Sequence, residues 1–158
     1  MAAQVGVRRM LESLRKGSAQ ANGCEDTWTP HIEGACGEMV VAKALNRYWS
    51  GSVNTYSQPD VAEYQVRTRS KPEYQLIVRP DDDDEAPFVL VRGRAPSYDI
   101  VGWLYGYEAK QSIWLRTYGN RRPAYFVPDE ALHDPSQLSQ MSRLRRKHAG
   151  MAPQEVIG

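Results

Sequence analysis

Five consecutive acids, Asp81-Asp82-Asp83-Asp84-Glu85, separate two apolar stretches of the chain. Carboxylates this dense cannot leave water without partners, so the run must lie at the surface and interrupt whatever its flanks build. Those flanks, Leu76-Ile77-Val78 and Phe88-Val89-Leu90-Val91, are short, β-branched or aromatic, and apolar, which is the signature of strands. The acid run therefore reads as a solvated hairpin loop between two strands. It lacks the spaced donors and the glycine of a calcium-binding loop.

The same periodicity extends the strand region. Strand-like segments recur at 53–57, 64–68, 74–79, 87–92 and 98–105, with a short late one at 124–127. Helical patterns come before them. Residues 2–16 carry a loose apolar stripe of Val5, Val7, Met10, Leu11 and Leu14. A second helix is predicted from about Ile32 to Trp49, with Val40, Val41, Ala44, Leu45 and Tyr48 on its buried side. Residues 107–115 suit a short helix, and 135–148 a closing helix with a basic end. A helical layer followed by a meander of strands argues for α+β, or for a three-layer α/β/α arrangement around a mixed central sheet.

Length predicts one domain over 1–158, able to bury a core without staples. Within it, residues 1–31 form a helix and connector, 32–134 the core, and 135–158 a basic helix and tail. With 41% hydrophobic and 25% charged residues the composition is that of an ordinary globular protein. No apolar run approaches a membrane span, and the two cysteines, Cys24 and Cys36, make no disulfide framework, so a cytoplasmic location is expected. A net charge of +1 excludes a polycation; nucleic-acid contact must come from local patches. Neither a zinc-module spacing, a Gly-rich phosphate cradle nor a Gly-x-Ser-x-Gly elbow is present.

One constellation carries chemistry. Glu38 lies in the second predicted helix, and Asp60 precedes Gln65-Val66-Arg67. In this order the residues resemble the helix-Glu, Asp and (Glu/Gln)-x-Lys elements of the PD-(D/E)XK nuclease superfamily. The motifs cover roughly residues 32–70. The later segments Val101-Gly102-Trp103-Leu104-Tyr105-Gly106 and Ala124-Tyr125-Phe126-Val127-Pro128 also resemble parts of small phage-associated proteins of this type. The resemblance implies a restriction-endonuclease-like core, DNA as partner, and a Mg2+ or Mn2+ cofactor; a homodimer is compatible with it. Asp60, Gln65 and the Val66 carbonyl would hold the ion, Glu38 would orient water or bind a second ion, and Arg67 would grip the scissile phosphate. Magnesium takes such hard oxygen donors, and Gln65 can offer an amide oxygen without charge. Arg67 can stabilise developing charge but cannot act as a base, since arginine stays protonated.

Strand alternation adds a geometric condition. On one continuous strand, Asp60 would face away from Gln65 and Arg67. A loop at Val61–Tyr64 would instead set Asp60 opposite Gln65, though no Gly or Asn there favours a turn. The alternative to a nuclease is a catalytically degenerate DNA-binding or protein-interaction module on the same fold. A lysine projecting into the site would favour the enzyme. The rival match, Asp99 with Glu108-Ala109-Lys110, reads more simply as an ion pair on a short helix. Two basic clusters suit phosphate contact: Arg116, Arg121 and Arg122 beside Trp114 and Tyr118, and Arg143, Arg145, Arg146 and Lys147 near the C-terminus.

Overall fold

A computed structural model of the chain describes residues 1–16, 28–49, 51 and 59–140. The expected strand at 53–57 and the cluster Arg143, Arg145, Arg146 and Lys147 lie outside the described residues. So does most of the expected closing helix, of which residues 136–140 are helical.

The fold is α+β. Two helices, α1 (Ala2–Arg15) and α2 (Trp28–Ala44), precede six strands: β1 (Gln65–Arg69), β2 (Leu76–Val78), β3 (Pro87–Arg94), β4 (Ser97–Tyr105), β5 (Leu115–Arg116) and β6 (Ala124–Val127). A four-residue helix, α3 (Gly106–Ala109), follows β4, and a 3-10 turn at Ser112–Trp114 ends the expected 107–115 helix early. No described helix is long and apolar enough to cross a membrane.

The strands form two sheets rather than one. β1 pairs in parallel with β3, and β3 antiparallel with β4; the second sheet is antiparallel in the order β2-β6-β5. The hairpin expected across the acid run is therefore not formed: β2 pairs with β6, and the loop carries the chain from one sheet to the other. The physical reason lies in β3, where Phe88 through Val91 are all buried. A strand buried on both faces needs a neighbour on each edge, and β1 and β4 supply them.

Alternation along β3 divides the interior into two cores. Val89 and Val91 face α2 and pack with Val41, Leu45, Val61, Tyr64, Val66 and Trp103. Phe88 and Leu90 face the second sheet and pack with Leu76, Val78, Leu104 and Val127. The layers are thus helices, mixed sheet and antiparallel sheet, not α/β/α.

The helix faces depart from the apolar stripes of the sequence. In α2 the buried side is Ala35, Gly37, Glu38, Val41 and Ala42, followed by Leu45, whereas Tyr48 is exposed. In α1 Met10 is buried while Val7, Leu11 and Leu14 stay exposed. Both shifts have one cause: the α1–α2 contact closes around a buried acid on α2, and a carboxylate does not register as core in an apolar count. Gly6 lets the helices meet, since a Cβ there would lie 2.5 Å from the Ile32 backbone.

Candidate functional site

The site begins at a tight turn. Val61 and Tyr64 exchange backbone hydrogen bonds (Tyr64 N–H to Val61 O, 2.8 Å; Val61 N–H to Tyr64 O, 3.1 Å), leaving Ala62 and Glu63 at the corner. Ala62 takes φ +52°, a conformation normally left to glycine or asparagine. The turn is held from inside: Val61 and Tyr64 are both buried in the helix-side core, and the Tyr64 hydroxyl donates to the Leu138 carbonyl at 3.2 Å. The register sets Asp60 opposite Gln65, as the sequence condition required. The Asp60 carboxylate accepts the Val66 N–H at 2.8 Å.

Above this turn, α2 lies against β1 at Gly37, where a Cβ would approach the Thr68 hydroxyl to 1.9 Å. That approach carries Glu38 into the interior, where the residue is only 5% exposed. Both carboxylate oxygens are taken. Arg9 of α1 grips them in a fork at 2.5 and 2.8 Å, and the Trp49 indole N–H donates to the second at 3.0 Å. Burial raises the pKa of Asp60, and the negative charge of Glu38 raises it further; the Val66 N–H, Arg67 and Arg9 oppose the shift without reversing it. Glu38 and Asp60 thus form an electrostatically coupled pair of carboxylates with two guanidiniums between and around them.

Arg67 lies 3.9 Å from the Asp60 carboxylate and 3.3 Å from that of Asp82, with its guanidinium over the Phe88 ring at 5.1 Å. It therefore points to the face of the mixed sheet that packs on the second sheet. Gln65 shares that face, two residues earlier on the strand. Glu38 is on the opposite, helix-covered face. Asp60, at the sheet edge, is the only member of the set in electrostatic reach of both sides. Val66 turns its N–H toward Asp60 at that edge, and a strand residue's carbonyl points the same way as its N–H.

Magnesium or manganese seeks several oxygens with free lone pairs. As arranged, Glu38 is fully engaged by Arg9 and Trp49, and Gln65 lies across the sheet from it. The set does not fit a chelated divalent ion. Among the described residues no group of three or more His, Cys, Asp or Glu converges as a metal site. The lysine of the rival match does not enter either: the Lys110 ammonium is held by Asp84 and by the Pro80 and Asp82 carbonyls at 3.0 and 2.6 Å. Glu108 caps the Tyr105 N–H and pairs with His133, so the rival Asp99/Glu108/Lys110 match is an ion-paired short helix.

Compared with family models, curated proteins and solved structures, the chain matches none of them.

A second feature lies at the β2-β6-β5 sheet. Arg116, Arg121 and Arg122 line an open cleft of about 820 Å3 together with Tyr118 and two arginines that the sequence reading passed over, Arg69 and Arg79. Its floor is the outer face of the β2-β6-β5 sheet, where Ile77 and Phe126 are register partners. Among the described residues no carboxylate lines it, and none of the five arginines forms an ion pair with a described residue. Arg69 is the most constrained: its Nε is buried without a hydrogen-bond partner among the described residues, while its guanidinium lies over the Tyr74 ring at 4.7 Å. Burial, with the positive charges of Arg121 and Arg92, lowers its pKa. Trp114 packs into the sheet-side core instead of the cleft, while Tyr118 is 58% exposed and meets Phe126 edge-on at 5.0 Å. The signal for Arg69 was its parity with Gln65 and Arg67 on β1. Arg79 sits at the start of the acid run, which hides it in any count of net charge.

Proposed function

We propose that this chain is a nucleic-acid-binding module, nuclease-like in the order of its motifs and with its carboxylate site closed by arginine. One observation carries the reading: five arginines without carboxylate partners among the described residues converge on one cleft. Positive charge held together against its own repulsion is favourable only when an anion joins it, and phosphodiesters are the anions that arginine forks match best. The closure of Glu38 by Arg9 supports the non-cleaving form. So does the pairing of Asp60 with Arg67 rather than with a lysine among the described residues, since Arg67 can hold a phosphate but cannot take a proton.

Magnesium- or manganese-dependent DNA cleavage is the second reading. It is favoured by the turn at 61–64, which brings Asp60 to the Val66 backbone and the Arg67 side chain at one sheet edge. It requires Arg9 to withdraw from Glu38.

A single experiment separates them. Plasmid and oligonucleotide DNA are incubated with the chain and manganese while binding is followed against salt. The first reading expects binding whose affinity falls steeply with salt, through counterion release, and no nicking. Nicking abolished by Asp60→Asn would establish the second. Absence of both binding and nicking at low salt would overturn both.

A further inference from the structure

Resting on the nucleic-acid reading, we infer that the arginine cleft takes a single-stranded segment, with one base stacked on Tyr118 and the flanking phosphates on the rim arginines. The cleft combines two chemistries that a duplex cannot use together. Its lining is cationic, with Arg79, Arg116, Arg121 and Arg122, and with Arg69 close to Arg121. Its floor, Ile77 and Phe126, is apolar and lies on an antiparallel sheet. A double helix presents phosphates outward and hides its base faces in the stack. It could touch the rim, but it would leave the floor and the Tyr118 ring without a partner. A single strand offers both surfaces along one edge, since every base has a π-face and every link a charge.

Dimensions agree. A cleft of about 820 Å3 is on the scale of a site for one drug-sized molecule, room for a short stretch of single strand. The Tyr118 and Phe126 rings stand at an interplanar angle of 84°, a contact that covers at most one Tyr118 face and leaves the other clear of it. Arg69 supplies the seat for the most enclosed phosphate. It is held in place by the Tyr74 ring, and its buried Nε–H lacks an acceptor among the described residues. Arg121 adds a second positive charge beside it.

The test uses the full chain and a fluorescent oligothymidylate of about ten nucleotides, a length within single-strand site sizes, with anisotropy as the readout. The same sequence as ribonucleotide and as duplex, and inorganic polyphosphate as competitor, complete the set. The single strand should bind at least about tenfold more tightly than the duplex. Tyr118→Ala should weaken it by about tenfold with the salt slope unchanged, the loss of one stacked base. The pair Arg116→Gln, Arg121→Gln should lower the slope of log affinity against log salt by about 1.4, two phosphate contacts on a single strand. Tyr118 and these arginines are exposed, and a circular dichroism melt matched to the parent shows that each variant is folded. Equal or tighter duplex binding, an unaffected Tyr118→Ala, or displacement by polyphosphate as effective as by oligonucleotide would overturn the inference while leaving nucleic-acid binding standing. No binding of any polynucleotide would overturn both. The ribonucleotide arm decides which sugar the cleft prefers.

Discussion

Replacing Arg9 by Met tests the closure of the carboxylate site. Arg9 and Glu38 keep only 17% and 6% of their side-chain surface, so the pair works at low dielectric. Met conserves much of the apolar stem and removes the fork, leaving Glu38 with the Trp49 N–H as its remaining described donor. Orphaning one member of a buried ion pair costs about 3–5 kcal/mol. With one donor retained and a partly exposed arginine, the lower end, about 3 kcal/mol, is the expectation. For a domain of this size that is roughly a 6–12 °C fall in Tm, or about 1.5 M in urea midpoint at an m-value near 2 kcal/mol/M. The partner experiment is Arg9→Met with Glu38→Gln. The double variant should recover most of the loss, because neither buried charge remains. Urea denaturation followed by tryptophan fluorescence and by far-ultraviolet circular dichroism checks both. A loss under about 1 kcal/mol in Arg9→Met, or a double variant as unstable as the sum of the singles, would refute the idea that this pair locks the helices over the site.

Three further outcomes follow from described geometry. Ala62→Gly should raise stability by up to about 1 kcal/mol in thermal denaturation, since φ +52° strains a Cβ-bearing residue; a loss would mean that the turn is not strained there. Gly37→Ala should cost roughly 1–3 kcal/mol, because its Cβ would collide with Thr68 and push α2 off β1; an unchanged midpoint would refute the close approach. Asp60 has a raised folded pKa, so the native state binds its proton more readily than the unfolded chain does. Its contribution to stability therefore improves as pH falls from the folded value toward the ordinary carboxylate value, and Asp60→Asn should remove that gain. Stability curves of the two proteins that run parallel across this window would contradict the assignment.

The parts of this architecture written locally were legible in the sequence. Strand-like patterning located β1 to β4 and β6 within a residue or two, and the reversal at 61–64, which the nuclease resemblance required and the turn chemistry did not favour, is present in the structure. What escaped depends on distant partners. Glu38 reads as solvent-facing in any apolar count, and Arg9, 29 residues away, together with the Trp49 N–H, makes its burial tolerable. The pairing of β2 with β6 spans some fifty residues, while the acid run suggested the nearest strand instead. The continuous apolar run of β3 did hold the clue, since a hairpin strand with one solvated face would have alternated. The cleft draws arginines from four separate stretches, so composition saw near-neutrality where geometry collects charge.

The mixed sheet, among the described residues, is open on one side. Among the described residues β1 is paired only with β3, so its far rim offers backbone groups to any passing strand. Asp60 occupies one of those groups, the Val66 N–H, and plants a carboxylate beside it. That makes it a guard against self-association as well as a site residue. A variant such as Asp60→Val, even with an unaltered melting curve, should scatter light at concentrations where the parent stays clear.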